Sequence, residues 1–282
     1  MNDHDKRLRF REILAGTSGV IAPGAAEPLF AKLVQDCGYP AVHASGNAIH
    51  KQLVLPDSGL ITMTEVAQLA ANIAVAVDIP LIVDGETGYG GPAQTARSLQ
   101  LFERAGAAAV RFEDSVFAKS GHGVAGKDGV MPISEMTDKI KAAVDARLDD
   151  CLTIILRCDT RACESLPQIQ ERLVAYVEAG ADAVGVHLSD VNELKQVAAQ
   201  SPAPLVSLWP RTLMPVFEFL EMGFKVALLP SSAPLAAAAA VRAMLLELKE
   251  KGTERPYFSQ LRDFEWVSRW YANLGKRSKE HR

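Results

Sequence analysis

Eight short apolar runs, most followed by an amphipathic segment, predict an α/β fold closed into a (β/α)8 TIM-type barrel. Two further observations agree. Three helical segments end in nearly the same phrase: Arg104-Ala-Gly-Ala-Ala-Ala-Val, Glu178-Ala-Gly-Ala-Asp-Ala-Val and Glu221-Met-Gly-Phe-Lys-Val-Ala. The glycine suits a helix C-cap, where positive φ costs little, and the apolar residues after it open the next strand. A chain of 282 residues is long for one ordinary domain and normal for one barrel of this kind.

The elements follow in order. Gly19–Pro23 is the first strand-like run, with a helical pattern at Glu27–Cys37. Ala41–Ser45 leads to Met63–Val77, Leu81–Asp84 to Gly91–Ala105, and Ala108–Glu113 to Ile133–Leu148. Thr153–Arg157 precedes Leu166–Ala179, and Ala183–His187 precedes Asp190–Gln200. Pro204–Leu208 with Leu213–Met222, then Lys225–Leu229 with Pro234–Lys251, complete the set. Such alternation implies parallel strands joined by helical crossovers, and eight units close naturally. Residues 1–252 therefore form one catalytic-type barrel domain. Residues 253–282 form a C-terminal helical arm, where Phe264, Val267, Trp270, Tyr271 and Leu274 recur at helical spacing. Composition leaves open whether that arm packs on its own barrel or on a second subunit.

Apolar residues make up 48% of the chain, enough for a large core, and the net charge of −4 gives no electrostatic case for nucleic acid. No apolar run reaches membrane-spanning length, and the charged N-terminus lacks a signal-peptide core, so a cytoplasmic protein is expected. The four cysteines form no C-x-x-C pair, and Cys158 reads as a small buried hydrophobe.

Three runs end in charge. Leu81-Ile-Val-Asp84-Gly-Glu86 delivers two carboxylates to a glycine-rich loop. Ala108–Asp114 ends in Glu113 and Asp114, and Leu152–Asp159 contains Arg157 and ends in Asp159. The C-terminal ends of barrel strands are where chemistry sits, so these residues predict one polar site. Acids held close together are costly unless a proton or metal offsets them. Asp84, Glu86 and Glu113 read as a divalent-cation site. With no His/Cys ligand set evident, oxygen ligands favour Mg²⁺ or Mn²⁺.

Further segments carry a resemblance: Ala44-Ser45-Gly46-Asn47, Leu55-Pro56-Asp57, Glu113-Asp114-Ser115-Val116-Phe117-Ala118-Lys119-Ser120-Gly121-His122 and Arg157-Cys-Asp-Thr-Arg161. With the Asp84–Gly90 phrase, the chain resembles the isocitrate lyase/phosphoenolpyruvate mutase superfamily from about Arg9 to Gly252. The resemblance implies a barrel that binds Mg²⁺ and a small 2-oxo or 2-hydroxy carboxylate. Asp84 matches the acid in direct contact with metal, and Glu86, Asp57 and Glu113 match acids reaching it through water. Ser45, Gly46 and Asn47 match the loop that holds the substrate carboxylate. Arg157 matches the arginine beside the reacting centre, and Lys119–Lys127 matches a mobile gate carrying Lys119, Ser120 and His122. The resemblance also implies exchange of C-terminal helices between subunits and a homotetramer, with Phe264, Trp266 and Trp270 at an interface.

The chain departs from its relatives in places. Lyases of the methylisocitrate and dimethylmalate type usually carry Cys-Gly-His in the gate, where this chain has Ser120-Gly121-His122. Those lyases tend to have a glutamate after the sixth strand, where this chain has His187, as in the phosphonopyruvate branch. Arg211 reads as a surface charge or a contact for a distal anion. The usual Asp-Ala-Asp phrase is Asp84-Gly85-Glu86. These features imply a magnesium-dependent carbon–carbon lyase acting on an oxaloacetate-like or substituted malate substrate through a pyruvate-type enolate. The alternatives are carbon–phosphorus chemistry on a phosphonate substrate, by hydrolysis or mutase rearrangement, and a non-catalytic carboxylate-binding barrel.

A serine hydroxyl is a far weaker acid than a cysteine thiol. Methylisocitrate is therefore expected to be a poor substrate, and Ser120→Cys to raise its cleavage. Steady-state assays of pyruvate release from methylisocitrate check this, and efficient turnover by the unaltered chain would refute it.

Overall fold

A computed structural model of the chain describes residues 1–116, 129–159, 164–255, 257, 268 and 270. Eight parallel strands close into a barrel in sequence order. They are β1 (Val20–Ala25), β2 (Val42–Ala44), β3 (Leu81–Asp84), β4 (Ala109–Glu113), β5 (Thr153–Cys158), β6 (Ala183–Val186), β7 (Leu205–Leu208) and β8 (Phe224–Leu229). Closure is made by β1 against β8, with Val20 opposite Val226 and Pro23 opposite Leu229. The eight expected strands are all present, with ends differing by one or two residues. Crossover helices include α2 (Pro28–Asp36), α4 (Met63–Ala76), α5 (Pro92–Arg104), α6 (Ile133–Ala146), α7 (Leu166–Glu178), α8 (Val191–Gln200) and α9 (Val216–Glu221). The three repeated phrases do cap helices: Gly106, Gly180 and Gly223 have φ of 88°, 109° and 111°.

Two helices escaped the sequence reading. The charged N-terminus is α1 (Asp3–Ala15), and the stretch after β2 is α3 (Gly46–Gln52). α1 shows little amphipathic pattern because its charged residues are put to use by distant backbone. Lys6 Nζ donates to the Ala74 carbonyl at 2.7 Å, and Arg7 donates to the carbonyls of Ala107 and Glu103. The Ala74 and Glu103 carbonyls lie in the last turns of α4 and α5. Arg11 donates to the Leu152 carbonyl and pairs with the Asp182 carboxylate.

Two apolar layers result. The larger lies between the strands and the surrounding helices and includes Val66, Ile73, Leu99, Phe102 and Leu173. The smaller fills the lower barrel, where Ala22, Ala41, Ala109 and Ala183 pack with Ile82, Ile155, Val206 and Val226. Small inward side chains leave room for Phe10, which α1 contributes to that layer and which is fully buried. The inner face therefore turns from apolar at the start of the strands to polar at their ends.

The chain divides into compact units at Met1–Pro234 and Leu235–Arg282. The long helix α10 (Ser232–Lys251) has no buried residue, and Leu235, Val241, Leu245 and Leu246 are exposed. Phe264 and Trp266 lie outside the described residues, and Trp270 is half-buried. Among the described residues no helix is long and apolar enough to cross a membrane. Cys37, Cys151 and Cys158 are free thiols, and Cys158 is buried as expected.

Removing the Phe10 side chain leaves a void among residues that cannot collapse onto one another. Phe10→Ala is expected to destabilise the protein by about 3–5 kcal/mol, measured by urea unfolding.

Candidate active site

Strand parity sets the site. Ser45 lies one residue beyond β2, and Asp84 ends β3. Arg111 and Glu113 occupy alternate positions on β4, and Arg157 lies on β5. Register brings Asp84 opposite Arg111 and Glu113 opposite Arg157. A cavity of about 160 Å³ opens among these ends. Ser45, Asn47, Asp57, Asp84 and Glu86 line it together with Arg111, Arg157, His187, Leu208 and Pro230.

The acids are tightly placed. Asp84 Oδ2 accepts from the Gly46 N–H at 3.1 Å and from Arg111 Nη2 at 2.9 Å, and Oδ1 accepts from the Glu86 N–H at 3.2 Å. Glu86 adopts a left-handed backbone, φ 50°. Two glycines make this approach possible. A Cβ on Gly46 would stand 2.0 Å from Glu86 Oε1, and one on Gly85 would stand 2.6 Å from the Phe112 ring. Glycine in place of the usual alanine at position 85 thus follows from the packing of Phe112. Asp57 Oδ2 accepts from Asn47 Nδ2 at 2.8 Å, while its buried Oδ1 has no hydrogen bond. Donor atoms of His50, Asp57 and Glu86 lie within 4.8 Å of one another. Two carboxylate oxygens beside an imidazole nitrogen, with the Asp57 oxygen buried without a hydrogen bond, fit a divalent cation.

Arg157 is held by two carboxylates. Its Nε donates to Asp159 Oδ1 at 2.6 Å, its Nη2 donates to Asp159 Oδ2, and its Nη1 lies 3.0 Å from Glu113 Oε2. Ser115 Oγ ties the two acids together at 3.2 Å and 3.1 Å. Burial works against the charge on Asp159, but the Arg157 guanidinium holds its carboxyl below the usual range. His43 is fully buried on β2, and burial followed by the nearby Arg111 charge pushes its pKa down to about 3. His187 is also lowered, by burial and then by Arg157. Both imidazoles are neutral at physiological pH.

Comparison with known proteins identifies the family. The family model for phosphoenolpyruvate phosphomutase matches residues 10–249. The chain belongs to the isocitrate lyase/phosphoenolpyruvate mutase superfamily. A 2-methylisocitrate lyase from Aeropyrum pernix is 36% identical over 259 residues, covering 90% of this chain and 83% of the relative. A 2,3-dimethylmalate lyase from Eubacterium barkeri is 32% identical, covering 87% of this chain and 86% of the relative. A crystal structure of phosphonopyruvate hydrolase with oxalate and Mg²⁺ superposes with a TM-score of 0.85 at 27% identity, covering 100% of this chain and 99% of that one. The chain is a lyase of this superfamily.

The superfamily site named from the sequence is partly assembled in one place. Ser45, Asn47, Asp57, Asp84, Glu86, Arg157 and His187 all line the cavity. Gly46 directs its N–H at Asp84, and Asn47 is spent on Asp57, so Ser45 is the residue of that turn whose buried Oγ has no partner. Glu113 is absent from the lining and meets Arg157 and Ser115. Lys119, Ser120 and His122 lie outside the described residues, as does the whole Lys119–Lys127 segment. Arg211 is exposed and lies outside the cavity lining. The sequence reading passed over Arg111, His43 and His50. For Arg111 the signal was present: it shares the parity of Glu113 on an otherwise apolar strand. His50 faced no such rule, because its helix α3 was not recognised and the ligand set was taken as oxygen only.

Asp114 closes the rear of the site. Its Oδ1 accepts from the Asp159 N–H at 2.8 Å, and its Oδ2 accepts from the Tyr176 hydroxyl at 2.7 Å. Burial pushes its carboxyl up from 3.8 to about 6 despite those donors. The folded state therefore keeps a proton that the unfolded chain releases, and stability falls as pH rises through that window. Relative to Asp114→Asn, the unaltered protein is expected to lose about 3 kcal/mol between roughly pH 4 and pH 7. Urea unfolding at stepped pH measures the difference, and a difference that is flat with pH would refute the shift.

Proposed function

We propose that this lyase is magnesium-dependent and cleaves a carbon–carbon bond in a small 2-oxo or 2-hydroxy dicarboxylate, of oxaloacetate-like or substituted malate type. Asp84 would hold the cation directly, with Asp57, Glu86 and Glu113 around it. One observation carries the reading: Asp57, Asp84 and Glu86 share a single cavity with Arg157 and the unpartnered Ser45 hydroxyl. That cavity offers donors for a cation and donors for an anion side by side. When bound, Mg²⁺ or Mn²⁺ supplies positive charge to the oxygens of such an acid.

The chain's own groups suit the rest of the reaction. Ser45 Oγ is available to a substrate carboxylate. Arg157, held in one orientation by Asp159 and Glu113, places positive charge beside the oxygens of the oxo-acid fragment. Leu208 and Pro230 give the cavity an apolar wall that limits solvent. Lys119, Ser120 and His122 are assigned to the proton-transfer gate on the sequence resemblance.

A second reading rests on His187, which lines the cavity and is neutral. A neutral imidazole can donate to a phosphonyl oxygen, so phosphonopyruvate is the alternative substrate. Assembly as a homotetramer is proposed as well, supported by the exposed apolar residues of α10.

A screen of oxaloacetate, substituted malates, methylisocitrate and phosphonopyruvate with Mg²⁺, following pyruvate, glyoxylate and phosphate, separates the readings. Asp84→Ala is expected to abolish Mg²⁺ binding by calorimetry while the circular dichroism spectrum is kept. Unchanged Mg²⁺ affinity would sink the metal assignment.

A further inference from the structure

Arg111 heads the fully buried side chains by size and is 2% exposed, yet it lines the cavity. Its two arms differ. Nη2 donates to Asp84 Oδ2 at 2.9 Å, and Nη1 has no hydrogen-bond partner. A buried guanidinium N–H without an acceptor is a costly arrangement, because nothing replaces the water it lost.

Arg157 is the contrasting case. Each of its three nitrogens already faces a carboxylate oxygen of Asp159 or Glu113. One positive charge there is shared between two negative ones. At Arg111 the ion pair shown is with one carboxylate, Asp84, and a whole arm is left over. The spare capacity for an anion in this cavity therefore belongs to Arg111. Ser45 Oγ, also buried and unpartnered, lines the same cavity. Both nitrogens of the buried His43 lack partners too.

We propose that Arg111 is a substrate-binding residue, whose Nη1 arm acts with Ser45 Oγ to receive an oxygen of an oxo-acid anion while its Nη2 arm stays on Asp84. The ligand class is a small acid with adjacent carboxylate and oxo oxygens, such as oxalate or pyruvate. One guanidinium then joins a metal-site acid to the substrate, so the two are oriented together. The assignment rests on the functional reading above. The rival role is a counter-charge for Asp84 alone.

Calorimetry with oxalate at saturating Mg²⁺ separates these roles in the unaltered protein, Arg111→Lys and Arg111→Gln. Loss of a charge-assisted hydrogen bond predicts that oxalate affinity falls roughly 10-fold to 100-fold in both variants. Arg111→Lys keeps a positive charge beside Asp84 and is expected to keep its melting temperature and Mg²⁺ affinity, so its loss of oxalate affinity is not a folding effect. Oxalate affinity within about twofold of the unaltered protein in both variants overturns the assignment and leaves the counter-charge role. An unaltered protein that binds Mg²⁺ but not oxalate overturns the functional reading along with it.

Discussion

Asp84, Glu86, Glu113 and Asp159 crowd the ends of three adjacent strands, and Asp57 joins them from a loop. Like charges held in an interior of low dielectric repel strongly, and each loses its hydration on burial. Arg111 on Asp84 and Arg157 on Asp159 and Glu113 provide the internal offset. Two guanidinium groups do not neutralise five carboxylates, and the remaining excess of negative charge is what the proposed cation would offset. The positions of the two arginines, fixed by β4 and β5, therefore set where a cation and an anionic ligand can meet.

The rest of the barrel serves this charge balance. Its lower half is apolar and closed by Phe10, so the strands have a firm base on which to hold strained polar ends. Left-handed backbone at Glu86 and glycine at 46 and 85 let carboxylates approach more closely than side chains with a Cβ would permit. Behind the site, Asp114, Tyr176 and Arg172 form a buried polar layer that supports Asp159 through its backbone N–H. Such a layer rigidifies what it touches only when its members are satisfied, and most of its bonds here run to neighbouring elements rather than to solvent.

The relatives divide between cleavage of carbon–carbon and carbon–phosphorus bonds, judged by the names they carry. Both reactions involve a small oxo acid, as substrate or as product, so one arrangement of acids and arginine suits the group on the proposed reading. On the same reading, selectivity between them rests on residues around the ligand, among which His187 lies on the cavity wall of this chain.

The alternation of eight apolar runs with amphipathic segments determined the barrel from the sequence alone, because successive parallel strands need helical crossovers, which cover the outer face of the sheet. Glycine at the three helix ends was legible for the same local reason: each needs positive φ. Asp84, Glu86 and Arg157 were legible as strand-end charges, and the cavity does contain all three. The N-terminal helix was not, since Lys6, Arg7 and Arg11 look like solvent charges until carbonyls of distant elements are brought to them. Nor was the division of labour between the arginines. Which carboxylates occupy Arg157, and that one arm of Arg111 lacks a partner, depend on register between β3, β4 and β5. Register is a long-range property, and pairing across the sheet, not spacing along the chain, decides which buried charges are matched.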